Sequence, residues 1–171
     1  MILTKQLKNM MKQINKKKIW IMAAIVILMV FFDQLSKHLI TARKDSLPLI
    51  VIDNFFTLDY VKNTGASFGM MQGNNSLLIW LSFIILGLLF YFHDHLPKKS
   101  SVFFPFIVAG TIGNLIDRIR NGFVVDFLDV YFRSYHWPTF NLADSSIVVG
   151  VVGLIILFIL EEKEQKDNRN D

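Results

Sequence analysis

The chain has 171 residues, 53% of them hydrophobic, and a formal net charge of +4. That apolar share is ordinary for a soluble domain, so arrangement decides: the apolar residues come in long blocks with charges at the block ends. Cysteine is absent, which excludes a disulfide framework, a thiolate metal site, a cysteine nucleophile and lipid attachment to a cysteine of the chain itself.

A hydrocarbon core of ~30 Å takes about 20 helical residues to cross. Four blocks approach that length, at 19–40, 77–92, 102–118 and 142–160. They predict a membrane all-α fold of four transmembrane helices. The first block has a basic start, but D-Q-L-S-K follows its apolar stretch where a cleaved signal peptide has small residues, so a retained span is expected. The segments outside the blocks read as a basic leader, 1–18, and a charged, solvated and frayed tail, 161–171.

Basic residues set the orientation. Lys5, Lys8, Lys12, Lys16, Lys17, Lys18, Lys98, Lys99, Lys163, Lys166 and Arg169 fall on one side, eleven in all. Arg43, Lys44, Lys62, Arg118, Arg120 and Arg133 fall on the other. The positive-inside rule then places both termini in the cytoplasm, with loops 41–76 and 117–141 facing outward.

Ionisable side chains are costly in a membrane helix and mark functional or structural sites. Asp33 and Lys37 lie four apart near the outward end of the first span, on one helix face, where they read as a structural ion pair. Leu49 to Val61 has the β-branched and aromatic content of short strands. Asn63-Thr64-Gly65 after it suggests a turn presenting backbone groups. In the third span Gly110 and Gly113 allow another helix to come close. Asn114, Asp117 and Arg118 cover one face of its last turn, with Asp117 and Arg118 readable also as snorkelling anchors. Phe123 to Phe132 reads as an extended interfacial piece carrying two candidate acids, Asp126 and Asp129, which pattern does not separate. Asn141 reads as an N-cap and Asp144 as the third helical residue, where an acid suits the helix dipole. Asp144 has a second reading, as one of two outward carboxylates in an apolar setting, of which one stays protonated and the other ionised.

Four motifs stand in order along the chain: D-Q-L-S-K from Asp33, N-T-G-A-S-F-G from Asn63, G-N-L-I-D-R from Gly113 with V-V-D-F from Val124, and F-N-L-A-D from Phe140. Together they resemble the bacterial lipoprotein signal peptidases, the type II signal peptidases, over nearly the whole chain. The resemblance implies an aspartyl endopeptidase with Asp126 and Asp144 as catalytic residues. It implies that Asn63, Gly65, Asn114, Asp117, Arg118 and Asn141 bind substrate or shape the site, and that Asp33 and Lys37 are architectural. It also implies a small outward β-platform and a short interfacial helix within loop 41–76. The substrate class is a prolipoprotein with a diacylglyceryl-modified Cys, cut just before that Cys in the cytoplasmic (inner) membrane. Neither cofactor, metal nor nucleic acid is expected; the partners are substrate and membrane lipids, and the working unit a monomer. Ser67 stands where many relatives carry Ala, and the basic leader is longer than usual.

Asp144, at a helix N-terminus, is the expected ionised base, and Arg118 and Asn114 the expected donors to the substrate backbone. A small transporter using intramembrane acids is the alternative, but it predicts acids through the membrane depth. Those present gather toward one face, and the second span carries none.

Overall fold

A computed structural model describes residues 2–66, 71–97 and 100–170, without the side chains of 2–15, 94, 169 and 170. Ser67, Lys98 and Lys99 lie outside the described residues, as do the side chains of Lys5, Lys8, Lys12 and Arg169. Each apolar block becomes a helix: α1 Ile2–Ala42, α2 Asn75–Tyr91, α3 Phe104–Asn121 and α4 Leu142–Asn170. Pro105 sits in the first turn of α3, where its missing N–H has no intrahelical partner to lose.

At both ends of the chain the helices run beyond the apolar blocks. The leader is helical from Ile2, and α4 runs on through the charged tail to Asn170. Glu and Lys are good helix formers, and Lys166 reaches back one turn to Glu162 at 2.6 Å. The tail stays solvated, as expected, without losing its helical backbone.

Two helical segments, Lys16–Ala42 and Leu142–Asn168, are long and apolar enough to cross a membrane. Side-chain distribution says more. Trp20, Ile27, Trp80 and Tyr91 are each at least two-thirds exposed, while Asp33, Lys37, Asp117, Asp126 and Asn141 are almost fully buried. A protein folding in water buries the first set and exposes the second. This inversion suits a hydrocarbon surround.

Strands form where β-branched and aromatic residues were found. β1 Leu49–Ile52, β2 Phe56–Asn63, β3 Val124–Phe132 and β4 Tyr135–His136 make an antiparallel sheet in the order β1-β2-β3-β4. Among the described residues between α1 and α2, the helical structure is one 3₁₀ turn, Lys44–Ser46; residues 67–70 of the loop expected to hold a short interfacial helix lie outside the described residues. Val61 lies opposite Asp126 and Asn63 opposite Val124, so Asn63 and Asp126 are diagonal neighbours on one sheet face.

α3 packs mainly on α4 and α1, and its glycines permit it. A Cβ on Gly110 would collide with the backbone oxygen of Ala143 and lie 2.7 Å from Ile147 Cγ1. One on Gly113 would lie 2.5 Å from Asp33 Oδ2. The close helix approach read from these glycines is thus present, and the Asp33 carboxylate fills the space beside Gly113.

Candidate active site

Burying polar side chains requires hydrogen-bond partners for each, and the three helices that meet here, α1, α3 and α4, supply them. Lys37 Nζ is 2.9 Å from Asp33 Oδ2, 3.2 Å from Asp117 Oδ2 and 3.0 Å from Asn114 Oδ1. Its three donors therefore have three acceptors. The expected Asp33–Lys37 pair is present, and it is part of a larger set. Asp33 Oδ1 accepts the Ala143 N–H at 2.9 Å, satisfying a donor in the first turn of α4. Asp117 Oδ2 accepts the Val125 N–H at 3.1 Å, tying α3 to β3. The trio thereby joins α1, α3, α4 and the sheet. Gln34, to which the sequence assigned no role, completes it: its Nε2, with two hydrogens to donate, lies 3.0–3.2 Å from the three acceptors Asp117 Oδ1, Gly113 O and Asp33 Oδ2.

F-N-L-A-D is delivered to the sheet by Phe140, which exchanges backbone hydrogen bonds with Leu128 at 2.8 and 3.1 Å. The next residue, Asn141, is fully buried beside Asp126. Its Oδ1 accepts the Asp144 N–H at 2.9 Å, and its own N–H donates to Asp144 Oδ2 at 3.2 Å. This is the reciprocal form of the cap expected at the start of α4. Asn141 Nδ2 donates to Asp126 Oδ1 at 2.6 Å. One residue thus connects the two carboxylates, its side-chain amide donating to Asp126 and its backbone N–H to Asp144.

Each carboxylate has a further asparagine. Asn63 Nδ2 donates to Asp126 Oδ2 at 2.8 Å, and Asn114 Nδ2 donates to Asp144 Oδ1 at 2.8 Å. The Asn114 orientation is chemically forced. Its Oδ1 faces the ammonium of Lys37 and Nδ2 of Asn141, both donors, leaving Nδ2 for Asp144. One of the two Asn114 Nδ2 hydrogens is therefore directed at Asp144.

Burial, then the nearby charge of Asp144, pushes the Asp126 carboxyl up to about 6, against the opposing hydrogen bonds from Asn63 and Asn141. Asp129, three residues on, has a different setting. It lies 2.9 Å from His136 Nδ1 on β4, away from the asparagines, and His136 is exposed. Geometry separates the two acids that pattern did not.

Arg118 is buried, not snorkelling, and its Nη2 donates to Gly65 O at 2.6 Å. The Gly65 N–H in turn donates to Asn63 Oδ1 at 2.9 Å. The Asn63 turn presents backbone groups, as expected, and Arg118 is fastened to it. All ten residues to which the resemblance assigns a role therefore belong to one connected polar cluster.

A sequence profile for the family described as Signal peptidase (SPase) II matches residues 25–160. The chain belongs to the signal peptidase II family. Its relatives include the lipoprotein signal peptidase of Syntrophus aciditrophicus, 41% identical, with 81% of this chain and 91% of the relative covered. That of Syntrophotalea carbinolica is also 41% identical, over 80% of this chain and 89% of the relative. Among solved structures, a bacterial membrane enzyme determined by the in meso method superposes with a TM-score of 0.76 at 34% identity, over 86% of this chain and 92% of that one. Membership in the signal peptidase II family makes this chain a membrane protease of lipoprotein signal peptides.

Proposed function

We propose that the chain is an aspartyl endopeptidase that removes the signal peptide from a diacylglyceryl-modified prolipoprotein, cutting just before the lipidated Cys, with Asp126 and Asp144 as its catalytic pair. The observation that carries this reading is the bridge through Asn141, which joins a buried carboxyl pushed up to about 6 to a second carboxylate at a helix start. Paired carboxyls in unlike settings are the physical basis of acid–base division of labour.

In the first step Asp144, ionised at the N-terminus of α4, takes a proton from water while the water oxygen attacks the scissile carbonyl carbon. Asp126 gives its proton to the carbonyl oxygen, forming a neutral tetrahedral diol. On collapse Asp144 returns its proton to the leaving nitrogen, Asp126 recovers one from the diol, and the C–N bond breaks. Asn63, Asn114 and Asn141 orient the two carboxyls. Asp117, Asp33 and Lys37 hold the strand and the helix that carry them, and Arg118 and Gly65 shape the substrate side.

α1 and α4 cross the membrane in this reading, and so do α2 and α3. Their 17 and 18 residues give about 26–27 Å at 1.5 Å per residue, close to a hydrocarbon core of ~30 Å. The basic residues put both termini in the cytoplasm, and the sheet and carboxyl pair at the outer face of the cytoplasmic (inner) membrane. Residues 19–160 form the peptidase unit, acting as a monomer among membrane lipids.

The wild-type chain in detergent micelles is expected to cut a diacylglyceryl-modified prolipoprotein and leave its unlipidated counterpart whole, read by gel mobility and mass of the released peptide. Equal cutting of both would remove the lipid requirement. Cutting of neither would remove the peptidase assignment. The pH profile follows from Asp126. The active form needs its proton, so kcat/KM falls as pH rises beyond about 6, tending to about tenfold per pH unit. The Asn63 hydrogen bond favours the ionised form, so Asn63→Ala moves that alkaline limb to higher pH. A limb that stays put or moves down would exclude Asp126 as the donor.

A further inference from the structure

Three buried side-chain atoms among the described residues have no hydrogen-bond partner, and two belong to residues in contact: Arg118 Nη1 and Asn75 Oδ1. Unpaired buried polar atoms are rare in folded proteins and call for an explanation. Asn75, the first residue of α2, uses its other amide atom on Arg118 itself, Nδ2 donating to the Arg118 carbonyl at 3.0 Å. That bond fixes which way the Asn75 amide points and leaves Oδ1 as a free acceptor. Arg118 Nη2 is held on Gly65 O at 2.6 Å, which leaves Nη1 as a free donor from the same planar fork.

One orphan is thus a donor and the other an acceptor, on adjacent residues. Both stand on a chain of hydrogen bonds running from Arg118 through Gly65 and Asn63 to Asp126. The Arg118 guanidinium lies within electrostatic reach of Asp126 and Asp144. An extended peptide offers a carbonyl and an N–H in alternation along its backbone, and recognition by backbone pairing uses such complementary groups.

We propose that Asn75 is a substrate-binding residue: its Oδ1 accepts a backbone N–H of the peptide being cut, while Arg118 Nη1 donates to a carbonyl of the same peptide. This rests on the peptidase reading. Asn75 has a second duty, since its Nδ2 holds the end of α3 and so aims Arg118. No charge or lipid is recognised by this pair. It reads peptide backbone, and therefore serves substrates of differing sequence.

The test uses the full-length protein and lipidated peptides in which one backbone N–H at a time, outside the scissile bond, is replaced by an ester oxygen. In wild type one position is expected to raise KM by about tenfold, the scale of a buried acceptor left unpaired, with kcat within about twofold. In Asn75→Leu the all-amide peptide already has the raised KM and the ester at that position adds nothing, the non-additivity of two changes to one contact. Asn75→Asp, which keeps an acceptor oxygen, retains the ester penalty. Equal ester penalties in wild type and Asn75→Leu, or loss of the penalty in Asn75→Asp, overturns the assignment while the peptidase reading stands. Failure of wild type to cut any lipidated peptide overturns both.

Discussion

Asp126→Asn and Asp144→Asn are each expected to lower kcat by about 10³-fold or more, while both variants remain folded and membrane-inserted. Proton transfer by a positioned group contributes about 10²–10⁴-fold, and neither amide can accept or release a proton at neutral pH. Hydrogen bonding adds to the loss. Asp126 accepts from Asn63 and from Asn141, and Asp144 accepts from Asn114 and from the Asn141 backbone. An asparagine in either place has one acceptor oxygen for two donors, so an NH₂ meets an N–H and the site loosens. Because the two carboxyls act as a unit, the double variant is expected to be no slower than the worse single one. Multiplicative losses would show that they act separately.

Asp129→Asn is the control. Its carboxylate faces His136 at the edge of the sheet, and exposed ion pairs contribute little, so its rate is expected within about twofold of wild type. Initial rates on a diacylglyceryl-modified prolipoprotein decide the series. If Asp129→Asn is the inactive variant and Asp126→Asn cuts normally, the catalytic pair has been misplaced.

Local spacing made the Asp33–Lys37 pair, the Asn141–Asp144 cap and the two helix-contact glycines legible, because each depends on residues within a turn or two. β1, β2 and β3 were legible from composition. The choice between Asp126 and Asp129 was not, since it rests on the register of β3 against β2 and on the Phe140–Leu128 bridge. Both of those are long-range pairings with no local signature. β4 escaped notice for a related reason: it follows Arg133 at φ 58°, a left-handed turn residue with none of the glycine or asparagine that usually marks one. Asn75 meets Arg118 across 43 positions. Its only trace in the sequence is an Asn-Asn pair before an apolar block, which reads equally well as a helix cap. The fixed orientation of Asn114 depends on Lys37, 77 positions away.

Lys37→Met is expected to be the most destabilising single change in the cluster. Lys37 is 3% exposed and sits within 3.2 Å of two buried carboxylates. Removing one partner of a buried ion pair costs about 3–5 kcal/mol, because the charge left behind has neither water nor counter-ion. Methionine fills a similar volume, so packing changes little and the loss reports charge. Adding Asp33→Asn and Asp117→Asn to Lys37→Met removes the stranded charges and is expected to recover most of the stability. The amide introduced by Asp33→Asn keeps one oxygen, which can still accept the Ala143 N–H that starts α4. Activity should not recover with stability, because Asn114 Oδ1 has lost the ammonium that fixes its amide, and Asn114 Nδ2 is then free to turn from Asp144. The triple variant is therefore predicted to unfold within a few degrees of wild type in micelles yet to have a kcat lower by about tenfold or more, on the scale of a mispositioned proton acceptor. Recovery of both stability and rate would make Lys37 a charge-neutralising post alone. Recovery of stability alone assigns it the orientation of the Asp144 carboxylate as well.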